Sequence, residues 1–291
     1  MKRCISCEHL FDATGWTCPK CGFAPAVNGG FPTFVAAAAD VEPLEFHQAV
    51  FDEIMKVEAH NFYYRPRQFL ISWALEKFFS GFESFYDFGV GTGSMLSRVR
   101  GRWPSVKLFG SDLSSDSLAI VAKRVPDAFL FRTDVERIPF RGKFDVVGAF
   151  DVIEHLDDDI AALKALRLAL KPGGGLAVTV PQHMSLWSRL DDMRGHKRRY
   201  VGDGLARAVR AVGFDVLMDT SFMASLFLPQ YLSRRFLSQD AGTELEAEYR
   251  LPSIVNGALK AILMAELATV RMGMRYPFGG MRMVIARNPH G

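Results

Sequence analysis

All four cysteines of this 291-residue chain lie within its first 21 residues, as two C-x2-C pairs. The pairs are Cys4 with Cys7 and Cys18 with Cys21, and ten residues separate them. Two residues between thiolates let both sulfurs of one tight turn face the same tetrahedral ion, and a second such turn completes a closed four-sulfur site. The spacing therefore predicts a structural zinc ribbon over residues 1–24, with no ligand position left open for catalysis.

The alternatives to zinc are an iron site, two disulfides or four ordinary thiols. Disulfides need an oxidising compartment, and residues 1–7 contain no apolar signal-peptide core. We therefore expect a cytoplasmic protein with a zinc-bound N-terminus. A segment this short would hardly fold without its metal.

The composition is that of an ordinary globular protein, with 49% hydrophobic residues, 23% charged residues and a net charge of +3. It excludes a disordered, collagen-like or coiled-coil chain. Nucleic-acid-binding domains usually carry a clustered excess of Lys and Arg, so the composition does not favour a nucleic-acid partner. The length allows one large α/β domain with an appendage.

Residues 25–80 are expected to form a linker followed by helices that cap the next domain. Residues 21–39 lack charge but are interrupted by Pro25, Pro32 and several glycines, which predicts a linker and not a membrane span. Between residues 42 and 79 the apolar residues recur with helical spacing.

After Gly81 short apolar runs alternate with amphipathic stretches. Strands are predicted at 85–88, 107–110, 129–132, 144–150, 176–180, 216–218 and 281–286, and helices at 94–102, 114–124, 157–170 and 204–212. This alternation is typical of an α/β fold in which a mostly parallel, doubly wound sheet has helices on both faces. We take residues 81–291 as that domain.

A glycine-rich loop follows the first of these strands and opens the first helix, with Asp87 at its entry and glycines at 89, 91 and 93. Such a loop lets a ligand approach the backbone and the positive end of the helix. The next strand ends at Asp112, where a carboxylate can bind ribose hydroxyls. In a nicotinamide enzyme, which is the alternative, the third glycine would stand at Ser94.

This loop resembles the first motif of class I S-adenosylmethionine-dependent methyltransferases, and the resemblance continues to about Phe222 and into the last strand. Asp112 matches the family's ribose-binding acid, and Asp134 matches the residue that receives the adenine amine. The resemblance implies a Rossmann-like sheet, S-adenosylmethionine as cofactor, and contacts to it from Asp87, Gly89, Gly91, Gly93, Asp112, Leu113, Asp134, Val135, Phe150, Tyr64 and Arg67. Helix N-capping is the competing role for Asp112 and Asp134.

Methyl transfer is an in-line displacement in which an enzyme positions the acceptor and, for O–H or N–H acceptors, removes a proton. The candidate catalytic residues are His155, His183 and Asp151, which follow the fourth and fifth predicted strands. Packing or helix capping is the competing role of His155. Asp151, Glu154 and His155 are also spaced similarly to a motif of ubiquinone-type O-methyltransferases that can hold a divalent cation.

Residues 58–67 resemble an aromatic segment that precedes the sheet in a group of bacterial methyltransferases. The resemblance implies that Tyr63, Tyr64 and Arg67 fold over the cofactor, with Arg67 paired to its methionine carboxylate. A core-facing amphipathic surface is the competing role of the aromatic residues.

Residues 223–280 separate the last two predicted strands and form a predicted helical insert. It is expected to pack a core of its own or to cap the substrate as an apolar roof or membrane-surface face. Lys260 and Glu266 interrupt its longest apolar stretch, so no transmembrane span is expected.

These observations predict an S-adenosylmethionine-dependent methyltransferase acting on the oxygen or nitrogen of a small-molecule acceptor, either lipophilic or anionic. An RNA methyltransferase that holds nucleic acid with its zinc ribbon is the first alternative. A non-catalytic S-adenosylmethionine-binding protein, whose ribbon docks a protein partner, is the second.

Overall fold

The computed structural model describes residues 1–36, 54–237 and 251–290. Its core is a nine-stranded sheet with the strand order β10-β11-β9-β8-β5-β6-β7-β4-β3. These strands are β3 (Ala26–Asn28), β4 (Phe31–Phe34), β5 (Ser84–Phe88), β6 (Lys107–Asp112), β7 (Phe129–Thr133), β8 (Phe144–Phe150), β9 (Leu170–Pro181), β10 (Asp215–Phe222) and β11 (Met281–Arg287). Strands β4 to β9 pair in parallel, while β3, β10 and β11 pair antiparallel. The predicted doubly wound α/β fold is confirmed.

Helices cover both faces of the sheet. They are α1 (Tyr64–Phe78), α2 (Ser94–Arg102), α3 (Ser115–Arg124), α4 (Asp159–Ala169), α5 (Arg189–Met193), α6 (Gly204–Ala211), α7 (Phe227–Leu232) and α8 (Ser253–Arg271). In the central strand, β5, Phe85 packs in the core on one face of the sheet, under α1 and α2. The next residue, Tyr86, packs in the core on the other face, under α4 and α6. A parallel strand buried on both faces needs apolar residues at consecutive positions, which explains the adjacent Phe85 and Tyr86.

The prediction of a linker after the ribbon is wrong for residues 26–34, because these residues form the hairpin β3–β4. Gly29 and Gly30 both have positive φ angles, of 58° and 87°. A two-residue turn of this kind after Asn28 matches the twist of a hairpin, so the glycines mark a turn and not a flexible tether. Strand β4 then adds to the edge of the sheet in parallel with β7.

The cysteine segment packs on this edge of the sheet. It contains the short strands β1 (Lys2–Arg3) and β2 (Leu10–Phe11). The Trp16 ring lies 4.9 Å from that of Phe34 and 5.6 Å from that of Phe140. The backbone N–H of Arg3 donates to the carbonyl of Pro139 at 2.9 Å. The ribbon is thus a packed part of the structure.

The insert is helical in its described part. Helix α7 continues into a π-helical turn at Ser233–Leu237, and residues 238–250 lie outside the described residues. Leu263, Leu267 and Val270 of α8 are buried in the core, whereas Ile254 is 85% exposed. Some apolar residues of α8 therefore pack in the core, while others are exposed on the surface.

Among the described helices, α8 is the one long and apolar enough to cross a membrane, with a mean hydropathy of 1.4 over the tested window. Length and composition of this kind are also found in core helices. Residues 37–53, which include the first half of the predicted capping helices, lie outside the described residues, and α1 confirms the second half.

Candidate functional site

A cavity of about 1200 Å³ opens at the carboxyl ends of β5, β6, β7 and β8. Ligands bind at this edge of open α/β sheets because the loops that follow the strands diverge there. Most predicted cofactor and catalytic residues line it: Tyr64, Arg67, Asp87, Gly89, Gly91, Asp112, Leu113, Asp134, Val135, Phe150, Asp151 and His155. Gly93 and His183 are the predicted residues outside its lining.

The glycine-rich loop adopts a backbone that side chains would obstruct. Gly89 has a φ of 72°, and a Cβ atom there would lie 2.4 Å from Cγ2 of Val152. At Gly93, which precedes α2, a Cβ would lie 2.8 Å from Cγ2 of Val121. Gly93 therefore serves close packing behind the loop, while Gly89 and Gly91 present their backbone to the cavity.

Asp112 is held by the backbone around it. One carboxylate oxygen accepts the N–H of Gly91 at 3.0 Å, and the other accepts the N–H of Ser114 at 3.0 Å. The N-cap of α3 is Ser114, whose hydroxyl accepts the N–H of Ser117. Capping of α3 is thus not the role of Asp112, and its carboxylate stays at the cavity wall.

Asp134 does have the capping role that the sequence left open. It caps the 3-10 turn Val135–Arg137 by accepting the N–H of Arg137 at 3.0 Å. Its other oxygen accepts the N–H of Ala36 at 3.1 Å, which ties the segment after β4 to the cavity. Each carboxylate oxygen still has a second lone pair for a ligand.

Asp87 is the most deeply placed carboxylate of the loop, with 2% exposure. Its Oδ1 atom has no hydrogen-bond partner among the described residues. Burial raises the pKa of Asp87 well above its usual value, since nearby Arg67 offsets only part of the desolvation. An orphaned buried oxygen of this kind is a position at which a donor group of a ligand or a water would bind.

Asp151 and Arg67 form an ion pair that the sequence did not predict. The guanidinium of Arg67 lies 2.9 Å from Oδ2 of Asp151 and also donates to the hydroxyl of Thr179 at 3.0 Å. The Tyr63 hydroxyl donates to the same Oδ2 atom at 3.1 Å, and the Thr179 hydroxyl donates to Oδ1 at 2.8 Å. The pairing of Arg67 with a cofactor carboxylate stays a prediction.

The aromatic segment before α1 is anchored to the glycine-rich loop. The buried carboxylate of Glu58 accepts the hydroxyl of Thr92 at 2.7 Å and pairs with Arg124. Tyr64 lines the cavity, and its ring packs edge-on against that of Tyr63 at 5.0 Å. The segment therefore lines the cavity between the glycine-rich loop and Asp151. Its role as a lid over a cofactor stays a prediction.

His155 lies at the other end of the cavity, beside His196. The two imidazole rings are 4.7 Å apart and perpendicular. Burial and the neighbouring His196 lower the pKa of His155 to about 4, so this ring is neutral near pH 7. Glu154, which is fully buried, has a carboxyl oxygen within 4.8 Å of a nitrogen of each ring.

His183 does not reach this group. Its ring packs edge-on against Phe227 at 5.1 Å, and its backbone has a positive φ of 63°. Sequence reasoning also missed Asp191, which is buried and binds His196 at 2.7 Å and Arg199 at 2.8 Å. The local signal for Asp191 is its capping box with Ser188, whose N–H it accepts at 2.9 Å. That pattern does not indicate its pairing with His196 and Arg199, which follow in a loop.

The four cysteines meet as the spacing predicts. Their sulfur atoms all lie within 4.8 Å of one another, with 3.6 Å between Cys4 and Cys21 and 3.7 Å between Cys7 and Cys18. Zinc–sulfur bonds of about 2.3 Å in a tetrahedron place the sulfurs about 3.8 Å apart. The geometry of this cluster therefore fits a four-sulfur zinc site.

Comparison with known proteins links this architecture to a family. Residues 60–218, more than half of the chain, match a family model described as a methyltransferase domain. The chain is 32% identical over 99 residues to a trans-aconitate 2-methyltransferase of Afipia carboxidovorans, an alignment that covers 34% of this chain and 38% of the relative. It is 31% identical over 96 residues to a demethylmenaquinone methyltransferase of Chlorobaculum tepidum, over 33% of this chain and 39% of the relative.

The chain thus aligns with less than half the length of these curated relatives. Among solved structures, the [4+2]-cyclase SpnF shares the fold with a TM-score of 0.52 and 22% identity, over 77% of this chain and 81% of that chain. A cyclase on this fold shows that the architecture alone does not determine the reaction.

Proposed function

Because this chain belongs to the methyltransferase domain family, we propose that it transfers the methyl group of S-adenosylmethionine to a small-molecule acceptor. The cavity carries the proposal. It contains the glycine-rich loop and Asp112 at one end and Asp151 and His155 at the other, within about 1200 Å³. A site for one drug-sized ligand usually encloses about 300–1000 Å³, so this volume supports two ligands side by side.

The cofactor half has the groups that the nucleoside and amino-acid parts require. Asp112 would accept the ribose hydroxyls, and Leu113 and Val135 would enclose the adenine, with Asp134 at its amine. The orphaned Oδ1 atom of Asp87 would accept the ammonium of the methionine part. Phe150 lines the same cavity and would contact the cofactor.

S-adenosylmethionine supplies a methyl group bound to a positively charged sulfur, which is an excellent leaving group. The protein then has to hold the acceptor in line and remove its proton. We assign this task to Asp151. Its Oδ1 atom accepts one hydrogen bond, from Thr179, and keeps a second lone pair, while Arg67 and Tyr63 hold the carboxylate through Oδ2. His155, beside it, would contact the acceptor.

The acceptor half has an apolar wall beside its charged groups. The residues that line it include Met223, Leu226, Leu251, Leu259 and Met281. This lining supports an acceptor with an apolar body and at least one reactive oxygen or nitrogen. The demethylmenaquinone relative agrees with a lipophilic acceptor, whereas the trans-aconitate relatives act on an anionic one.

The test is to incubate the purified chain with methyl-labelled S-adenosylmethionine and fractionated cell extract. We expect label in a small-molecule fraction. Asp112→Ala should weaken cofactor binding by roughly tenfold or more, because hydrogen bonds to a charged group contribute about 1.5–3 kcal/mol. Asp151→Asn should bind the cofactor but transfer its methyl group about 10²- to 10⁴-fold more slowly.

Two outcomes would overturn the proposal. Label that appears only in RNA would identify an RNA methyltransferase. Tight cofactor binding with no label in any fraction would identify a non-catalytic binding protein.

A further inference from the structure

Glu154 is a carboxylate without a partner at the base of the acceptor half. It lies in the 3-10 turn Ile153–His155 after β8 and has 0% exposure. Neither of its carboxyl oxygens has a hydrogen-bond partner among the described residues. Burying an unpaired carboxylate is costly, so a ligand is expected to compensate this group.

The imidazoles of His155 and His196 both lie close to the carboxyl group of Glu154. His155 follows Glu154 in the chain, and His196 comes from the loop after α5. The three side chains each offer one donor atom within 4.8 Å of the others, and all three line the cavity. A carboxylate oxygen and two imidazole nitrogens are a donor set for divalent transition metals.

Asp191 fixes the orientation of His196. Its Oδ1 atom lies 2.7 Å from Nδ1 of His196, and the side chains are 1% and 7% exposed respectively. The guanidinium of Arg199 donates to both oxygens of Asp191, at 2.8 and 2.9 Å. A carboxylate on Nδ1 leaves Nε2 as the donor atom, which is the usual outer arrangement of a metal-bound histidine.

We propose that Glu154, His155 and His196 bind a divalent transition metal in the acceptor half of the cavity, with Asp191 as the outer carboxylate. Ion–ligand distances of about 2.0–2.2 Å set the donor atoms of a tetrahedral site about 3.4 Å apart, so small side-chain rotations close the cluster around the ion. Three protein ligands leave at least one coordination position open.

This ligand set differs from the one that the spacing of Asp151, Glu154 and His155 indicates. The cluster of donor atoms contains His196 and not Asp151, whose carboxylate Arg67, Tyr63 and Thr179 hold in a fixed position. Because all three side chains line the cavity, an oxygen of the acceptor would be the further ligand of a bound ion. Binding of the acceptor to the metal rests on the proposed function, whereas binding of the metal by the protein does not.

The test is a titration of the full chain with Zn²⁺ alone, without S-adenosylmethionine, combined with analysis of bound metal. We expect Glu154→Gln and His196→Gln each to bind one zinc ion fewer than the unchanged protein. The zinc that these variants still bind is the ion held by the four cysteines. His183→Gln, a histidine outside the cluster, should bind as much as the unchanged protein. Asp191→Asn should lower the affinity about 10- to 100-fold.

Thermal unfolding distinguishes loss of a ligand from damage to the fold. Without added zinc, Glu154→Gln should unfold at the same temperature as the unchanged protein or higher, because it removes an unpaired buried carboxylate. Added zinc should raise the unfolding temperature of the unchanged protein further than that of the variant. Two results would overturn the site. One is that all variants bind as much zinc as the unchanged protein. The other is that, without added zinc, Glu154→Gln unfolds at a lower temperature than the unchanged protein. Normal methyl transfer alongside either result would leave the proposed function intact.

Discussion

Single backbone positions decide whether the cavity can form. Gly89 combines a φ of 72° with a side-chain neighbour, Val152, that occupies the space of a Cβ atom. Gly101 in α2 has neither constraint, since no heavy atom lies within 4 Å of its would-be Cβ. The same residue type therefore has a required role at one position and a replaceable one at the other.

We predict that Gly89→Ala weakens S-adenosylmethionine binding at least ~10-fold and lowers the free energy of unfolding by about 1–3 kcal/mol, through the positive φ and the clash with Val152. Gly101→Ala, the matched control, should leave binding unchanged and stabilise the helix by up to about 1 kcal/mol. Cofactor titration and denaturant unfolding measure both effects. Equal behaviour of the two variants would refute this role of Gly89.

At the scale of elements, Asp145 joins three strands at the edge opposite the cavity. One oxygen accepts the N–H of Ser84 at 2.9 Å and its hydroxyl at 2.7 Å, and the other pairs with Lys171 at 2.6 Å. These contacts link β8 to the start of β5 and to β9. Asp145 does not line the cavity, and these contacts indicate a structural role.

The Asp145 contacts predict a pH dependence of stability. Burial acts to raise the pKa of Asp145, but hydrogen bonds from Lys171 and Ser84 outweigh it and lower the pKa below the usual value. A lowered folded-state pKa gives stability that is present above the unfolded pKa of about 3.9 and is lost as the pH falls through the folded value.

Asp145→Asn should therefore reduce the free energy of unfolding by about 1 kcal/mol near neutral pH, and the difference should shrink as the pH falls below about 3.9. Denaturant unfolding at several pH values measures this. Asp127→Asn, at an exposed carboxylate, should show a much smaller difference. A difference for Asp145→Asn that stays constant with pH would contradict the assignment.

Across the whole molecule, the ribbon and the cofactor half of the cavity are connected. Trp16 packs on Phe34 of β4, and β4 pairs with β7 up to Thr133. Two residues beyond Phe34, the N–H of Ala36 donates to Asp134. Arg3 of the ribbon also donates to the carbonyl of Glu136, which lines the cavity.

Loss of metal from the cysteines should therefore weaken S-adenosylmethionine binding and lower the unfolding temperature of the protein in a single transition. Cys18→Ser should reduce cofactor affinity several-fold and stability by about 2 kcal/mol or more, since metal binding and folding of such a site are coupled. Lys20→Ala, an exposed change in the same ribbon, is the control. Unchanged affinity after metal loss would show that the ribbon is independent of the cavity.

Local patterns account for the parts of the site that were predicted. The glycine-rich loop and Asp112 follow neighbouring strands, and parallel strands place their carboxyl ends together. The ion pair of Asp151 with Arg67 and the contact of His196 with Glu154 join segments that are remote or irregular in sequence. Asn28, Gly29 and Gly30 were predicted as linker because a turn and a tether have similar composition.

By itself, the sequence determined the alternation of strands and helices, the cysteine cluster and the glycine-rich loop, because spacing and backbone preference act over a few residues. Only the tertiary structure decided which charges meet. It paired Asp151 with Arg67, placed His196 near Glu154, whose carboxyl oxygens have no partner among the described residues, and packed the ribbon against the sheet. These contacts depend on where distant loops converge, and burial, which gives each charge its energetic weight, exists only once the chain has folded.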